Sequence, residues 1–204
     1  MVRHGATEWN RTKRAQGLAD IELDPLGLEQ AVAAASRLRS ESLAAVYSSA
    51  LKRAIDTAEP IAKEHGLTVQ TDPAFNEIDQ GEWTGLSTAE IRRRWPDLWG
   101  PHRHYSSRPG GESPADVRKR ALEGVRRIVE AHPSGRVVLV SHGGTIRWLS
   151  AEALGYDDRE SATIRGVGNG ETVAIDATVA GGRLRLTNLR RQDRKSVSMD
   201  DPNA

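Results

Sequence analysis

The 204-residue sequence contains no cysteine. Disulfides, thiolate zinc sites, iron–sulfur clusters and cysteine nucleophiles are therefore excluded. No window holds 18 apolar residues, so no transmembrane helix is expected. The first residues lack the basic-then-apolar pattern of a secretory signal. A soluble cytoplasmic protein is the expectation. Strong charge of one sign is also missing: 29 Lys and Arg stand against 28 Asp and Glu, a formal net charge of +1. No general affinity for nucleic acid or for a membrane surface follows from that balance.

What is present is an ordinary globular composition, with 37% hydrophobic and 28% charged residues. The length suits one α/β domain with a real core. Arginine heavily outnumbers lysine, and many arginines lie beside polar and glycine-rich segments. Their planar forks suit phosphate or carboxylate ligands, although a general bias toward arginine explains them equally well.

Strand and helix patterns alternate. The opening "MVRHG" reads as the end of a strand, short against the usual ~5 residues, and either a stub or a strand entered part-way. "LDPLGLEQAVAAASRLRS" predicts a helix with Asp24 as cap, Pro25 in the first turn and an apolar stripe of Leu28, Ala31, Ala35 and Leu38. "LAAVYSS" predicts a short buried strand. "SALKRAIDTAEPIAKEHG" predicts a helix capped by Ser49 and stopped at Gly66, with Pro60 expected to kink or break it. A short helix is expected near 87–95 and a long one after Ser113 and Pro114. "RVVLVSHGG" reads as a strand covered on both faces, followed by a helix. Two alternating runs around Ala-Gly-Gly predict a β-hairpin. Together these predict a three-layer α/β/α sandwich with a mostly parallel central sheet, as one domain over 1–190. The polar residues 191–204 read as a disordered tail.

Two histidines follow strands: His4 in Arg3-His4-Gly5, and His142 in Ser141-His142-Gly143-Gly144. Open α/β sheets bind ligands beyond the carboxyl ends of their strands. His4 and His142 are thus candidates for one pocket. The helix start after His142 favours an anion, and the glycines permit close backbone approach. Arg53 also follows a strand. Thr7 and Asn10 lie in the loop after His4 and can donate to oxygens. Two arginines, two histidines and amide-rich loops describe a phosphate site. Proton transfer then needs a carboxylate, for which "FNEIDQGEW" offers Glu77, Asp79 and Glu82.

"RHGATEWN" (3–10), "SSALKRAIDTA" (48–58), "NEIDQGEWTG" (76–85), "PGGES" (109–113) and "VSHGG" (140–144) occur in this order. In this the chain resembles the histidine phosphatase superfamily, also called phosphoglycerate mutase-like. The resemblance implies that His4 takes the phosphoryl group on a ring nitrogen. It implies that Arg3, Arg53 and His142 hold the phosphoryl oxygens. It selects Glu77 to protonate the leaving alkoxide and then to draw a proton from water. Asn10 would contact the phosphate, helped by Thr7, Gln16 and the amides of Gly17 and Gly143.

Around the pocket, Arg94, Trp99, His102, Arg103, His104, Tyr105 and Arg108 are expected to roof the remainder of the substrate. The His-x-His spacing at 102–104 also fits a metal, but it follows no apolar strand and no nearby Asp or His set completes it. No metal and no cofactor are expected. Glu77 and His142 are only about 65 residues apart, shorter than in cofactor-dependent mutases. The resemblance therefore favours a phosphomonoesterase acting on a small phosphate monoester: a phosphoglycerate derivative, a sugar phosphate or ribazole phosphate. A phosphoglycerate mutase and an inactive phospho-ligand binding protein are the alternatives. A homodimer is common among such proteins, and no patch in the pattern marks one.

Overall fold

The structure, a computed structural model, describes residues 1–100, 103 and 105–191. Its centre is a parallel sheet of four strands in the order β1-β4-β2-β3. These are β1 (Val2–Arg3), β2 (Leu43–Ser48), β3 (Val69–Thr71) and β4 (Arg136–Ser141). Short as it is, β1 is firmly held: Val2 pairs with Val140 and Arg3 with Ser141. On its other side Val2 bridges Thr172, and Met1 pairs with Val173. The strand ahead of His4 therefore runs inside the sheet. The hairpin β5 (Val173–Ala180) and β6 (Arg183–Arg191) continues from this edge. Its turn is Gly181-Gly182, both at positive φ, as a tight turn between twisted strands requires. Arg191 still pairs with Val173, so the strand includes the first residue expected in the tail. Residues 192–204, like His102 and His104, lie outside the described residues.

Alternation along the strands explains the layers. Val2, Val46, Val138 and Val140 point to one face, against Ala34, Ala35 and Leu38 of α2 (Pro25–Leu38) and Ala54, Ala58 and Ile61 of α3 (Lys52–Glu64). Tyr47 and Leu139 point to the other face, where Phe75, Ala121, Val125 and Leu149 pack. Ala121 and Val125 come from α5 (Pro114–Ala131), and Leu149 from α6 (Gly143–Leu154). A parallel sheet covered on both faces is the three-layer architecture the sequence predicts. The shorter helices α1 (Glu8–Arg11), α4 (Thr88–Arg94) and α7 (Asp158–Ser161) decorate the loops.

Three local expectations are corrected. Leu28 is 53% exposed, and the buried stripe of α2 runs through Gly27, Ala31, Ala34, Ala35 and Leu38. Pro60 does not end α3, which runs through it to Glu64. Burial of Ala54, Ala58 and Ile61 against the sheet outweighs the lost backbone bond. Ser49 is not the cap of α3; the N-cap is Leu51, without a side-chain bond, and Asp20 Oδ1 instead accepts from Lys52 N at 2.7 Å.

A hollow of about 840 Å³ opens at the amino-terminal end of the sheet, between β4 and β5. It lies at the opposite end from His4 and His142. Among the described residues no helix is long and apolar enough to cross a membrane.

Candidate active site

Each site residue is delivered by a strand end or by the element that follows it. His4 is the first residue after β1. Its amide donates to Ser141 O at 2.9 Å and its carbonyl accepts from Asn169 Nδ2 at 2.9 Å. Gly5 N donates to Thr57 Oγ1 on α3 at 2.9 Å. The turn needs Gly5: a Cβ there would stand 2.3 Å from Gly27 O, at the start of α2. Backbone contact of this kind cannot be relieved by a rotamer change.

The His4 ring is 1% exposed, and its Nδ1 sits 2.7 Å from Gly5 O. A carbonyl only accepts, so Nδ1 carries the hydrogen and Nε2 bears the lone pair. Burial, and then the charges of Arg53 and Arg3, hold the His4 pKa well below its ordinary value of 6.5. The ring is therefore neutral at neutral pH, with Nε2 nucleophilic.

His142 is the N-cap residue of α6 and is fully buried. Its ring centroid lies 5.1 Å from that of His4. Its Nε2 is 2.8 Å from Ser49 Oγ, whereas Nδ1 is buried with no hydrogen-bond partner among the described residues. Burial first, then Arg53 and His4, keep this ring neutral too.

Arg53, in the first turn of α3, is fully buried. It donates to Ala19 O at 2.7 Å and Gly17 O at 2.8 Å. One guanidinium thus shapes the 17–19 loop and adds charge to the site. Burial pushes its pKa down to about 10, and Glu77 partly opposes the shift. Arg3 is also fully buried and donates to Val167 O at 2.8 Å. Gly143 opens α6, whose helix dipole points its positive end at the cluster.

Of the three candidate carboxylates, the structure brings in Glu77. It is 1% exposed and accepts from Ile78 N at 2.9 Å. A Cβ on Gly144 would come within 2.6 Å of its Oε1, so glycine at the start of α6 leaves the carboxyl room in this position. Burial raises the Glu77 pKa, against the lowering by the Ile78 amide and the charges of Arg53 and Arg3. Asp79 instead caps the Gly81 amide at 2.9 Å, and Glu82 is exposed.

Asn10 turns its Oδ1 to Thr7 and leaves Nδ2 buried without a partner among the described residues. Thr7 is buried and acts as the cap of α1, its hydroxyl directed to Asn10 at 3.0 Å. It therefore orients Asn10. Gln16 is 1% exposed. In the roof, Arg108 lies 4.8 Å over Trp83 and Arg103 lies 4.7 Å over Trp99. Arg108 also donates to Gln80 Oε1 at 3.1 Å, and the charge of Glu77 acts on it. Arg94 is not brought to this cluster: it is exposed at the end of α4, with its charge on Glu90.

The residues that sequence reasoning missed hold these groups in place. Arg120 donates to Ala74 O, Asn76 O and Glu77 O, and pairs with Glu112 at 2.9 Å. It clamps the loop that carries Glu77. Asn169, Thr57 and Asn76 were likewise unassigned, and Ser49 was read only as a helix cap. Glu112, Ser49, Asn76 and Thr57 all lie inside the quoted motifs, which was the available signal. Among the described residues no group of three His, Asp or Glu side chains is placed to hold a metal.

Residues 1–190 match the model of the histidine phosphatase superfamily, branch 1. The chain belongs to that superfamily. Glucosyl-3-phosphoglycerate phosphatase of Mycolicibacterium vanbaalenii is 38% identical over 191 residues, 86% of this chain and 82% of that one. Phosphoserine phosphatase 1 of Hydrogenobacter thermophilus is 36% identical, covering 77% of this chain and 76% of its own. The solved structure of a mycobacterial glucosyl-3-phosphoglycerate phosphatase complexed with VO3 aligns with a TM-score of 0.84 at 35% identity, over 94% of this chain and 96% of that one. This histidine phosphatase is a phosphoric monoester hydrolase with the phosphoglycerate mutase-like fold.

Proposed function

We propose that the enzyme hydrolyses a small phosphorylated carboxylic acid through a phosphohistidine on His4. The observation that carries this reading is the His4 ring: Nδ1 is engaged by Gly5 O, so Nε2 is bare, beside buried Arg3, Arg53 and His142. Nε2 attacks phosphorus, and the ester P–O bond breaks. Glu77, whose pKa burial raises, gives its proton to the leaving oxygen. Water then attacks the phosphohistidine, the N–P bond breaks, and the Glu77 carboxylate takes the water's proton. Arg3, Arg53, His142 and the Nδ2 of Asn10 hold the non-bridging oxygens as charge redistributes over them. Gln16 and the amides of Gly17 and Gly143 line the same anion site.

The substrate class rests on two supports. The phosphoglycerate and phosphoserine in the relatives' names both carry a carboxylate close to the phosphate. In this chain Arg108, whose charge couples to Glu77, offers a second cation for such a group.

The test is phosphate release by wild type and His4→Ala in EDTA. The panel is 3-phosphoglycerate, glucosyl-3-phosphoglycerate, phosphoserine, α-ribazole phosphate and glucose 6-phosphate, with 3- to 2-phosphoglycerate isomerisation assayed alongside. Release from the carboxylated esters by wild type alone is expected. Isomerisation without release, or equal release by His4→Ala, would overturn the reading.

A further inference from the structure

Ser49 and Asn76 contact the second histidine in a way that decides what it can do. Ala50 N donates to Asn76 Oδ1 at 2.9 Å, so that atom is the acceptor of the amide. Ser49 Oγ lies 2.9 Å from the same oxygen and must donate its hydrogen there. Leu51 N donates to Ser49 Oγ at 3.2 Å. A hydroxyl has one hydrogen. With that hydrogen directed to Asn76, Ser49 can only accept from His142 Nε2, 2.8 Å away. Nε2 therefore carries the ring hydrogen. Nδ1, buried and without a partner among the described residues, bears the lone pair. A bare nitrogen repels a phosphoryl oxygen, whereas a protonated one donates to it.

We propose that Ser49 and Asn76 are positioning residues that fix His142 as its Nε2–H tautomer, so that its Nδ1 binds a phosphoryl oxygen only together with a proton. The inference rests on the proposed phosphate site and adds a proton requirement to it. An N–H bond forms at Nδ1 and one O–H bond breaks: that of a monoanionic phosphate ester, which becomes the dianion, or, when the ester arrives as a dianion, that of a hydronium ion from solvent, which becomes water.

The groups acting on His142 are Arg53 on α3, Arg120 on α5, and Arg3 and His4 at the end of β1. Glu77, on the loop before α4, borders the first residues of α6. Without a bound anion, burial first and then the arginines keep the ring neutral. A phosphoryl dianion among them reverses the sign of the local charge and favours the imidazolium.

The test is nitrogen NMR of ring-labelled histidine in the full chain, with inorganic phosphate as the probe and His142→Gln to assign the signals. Without phosphate, His142 Nδ1 is expected at a lone-pair nitrogen shift and Nε2 at a protonated one. With phosphate, both nitrogens move to protonated shifts. In Asn76→Ala the Ser49 hydroxyl is released to donate to Nε2. The neutral ring then moves to the Nδ1–H form and binds phosphate without a second proton. In wild type, an Nδ1–H ring before phosphate, or a ring still neutral with phosphate bound, would overturn the inference alone. So would an Asn76→Ala ring identical to wild type. Phosphate that moves neither the His4 nor the His142 signals would overturn the phosphate site as well. The wild-type spectra decide the matter even if the variant does not fold.

Discussion

The rings of His4 and His142 stand 5.1 Å apart, tilted by 55°, although most of the chain separates them in sequence. The register of β1 on β4 creates this proximity. Arg3 pairs with Ser141, so the residue after each strand emerges at the same edge. Both rings are neutral because both are buried among arginines. A neutral imidazole in a cationic pocket suits a nucleophile at His4, and a second one that gains its proton with the anion suits a phosphoryl binder at His142; the two set the expectations that follow.

Glu77→Gln removes the proton donor and keeps the shape. For an alkyl phosphate, kcat is expected to fall by roughly 10²–10⁴. For p-nitrophenyl phosphate, whose leaving group needs no proton, loss in the phosphorylation step is expected to be far smaller. Parallel pre-steady-state measurements on the two esters check this. Equal losses would place Glu77 outside the proton transfer.

Arg53→Lys preserves a charge and loses the fork that spans Gly17 O and Ala19 O. A kcat/KM loss of roughly 10²–10³ is expected, as for removal of one oriented donor of a developing charge. Wild-type rates in the variant would show that charge alone suffices.

The site also governs stability against pH. The folded-state pKa values of His4 and His142 are lowered by burial, so above the ordinary value of 6.5 neither histidine affects stability through protonation. Below it the unfolded chain binds protons that the folded chain refuses, and stability falls as pH falls. Each such histidine contributes about 1.4 kcal/mol per pH unit over that window. Urea melts of Glu77→Gln from pH 7.5 to 5, where no buried carboxyl opposes the histidines, are expected to show this slope, and adding His142→Gln should reduce it by about half. Glu77 has the opposite sign: its raised pKa makes ionisation unfavourable in the fold, so Glu77→Gln is expected to melt no lower than wild type at pH 8. A pH-independent melt of Glu77→Gln would contradict the burial of the two histidines.

Gly5→Ala tests the turn behind His4. Its Cβ would stand 2.3 Å from Gly27 O, a backbone atom at the start of α2. A loss of about 3 kcal/mol or more is expected, with activity falling alongside because His4 moves. A variant with unchanged Tm and rate would show that the turn yields.

Much of this was legible in the sequence. The continuous apolar run in "RVVLVS" and the caps Asp24 and Ser113 place their elements almost to the residue. Arg3, His4, Arg53 and His142 were readable because each ends a strand or comes soon after one, and parallel strands carry such residues to one edge. What was not legible depended on packing between distant segments. Pro60 looked like a helix breaker until burial of its neighbours was known. Leu28 looked buried because a helical stripe can be drawn one residue either way; only the contact of Gly27 with Ala6 fixes the rotation. Arg94 shares the chemistry of Arg103 and Arg108, and only the orientation of α4 separates them. Ser49 was read as a cap, the ordinary role of serine before a helix, and its contact with His142 spans 93 positions.

The most direct measurement is a rapid acid-free quench of wild-type enzyme turning over p-nitrophenyl phosphate, followed by peptide mass spectrometry. A single phosphoryl group on the peptide containing His4, absent from His4→Ala, is the expected result. Phosphate release with no phosphorylated peptide, or a phosphoryl group on His142 instead, would contradict catalysis through His4.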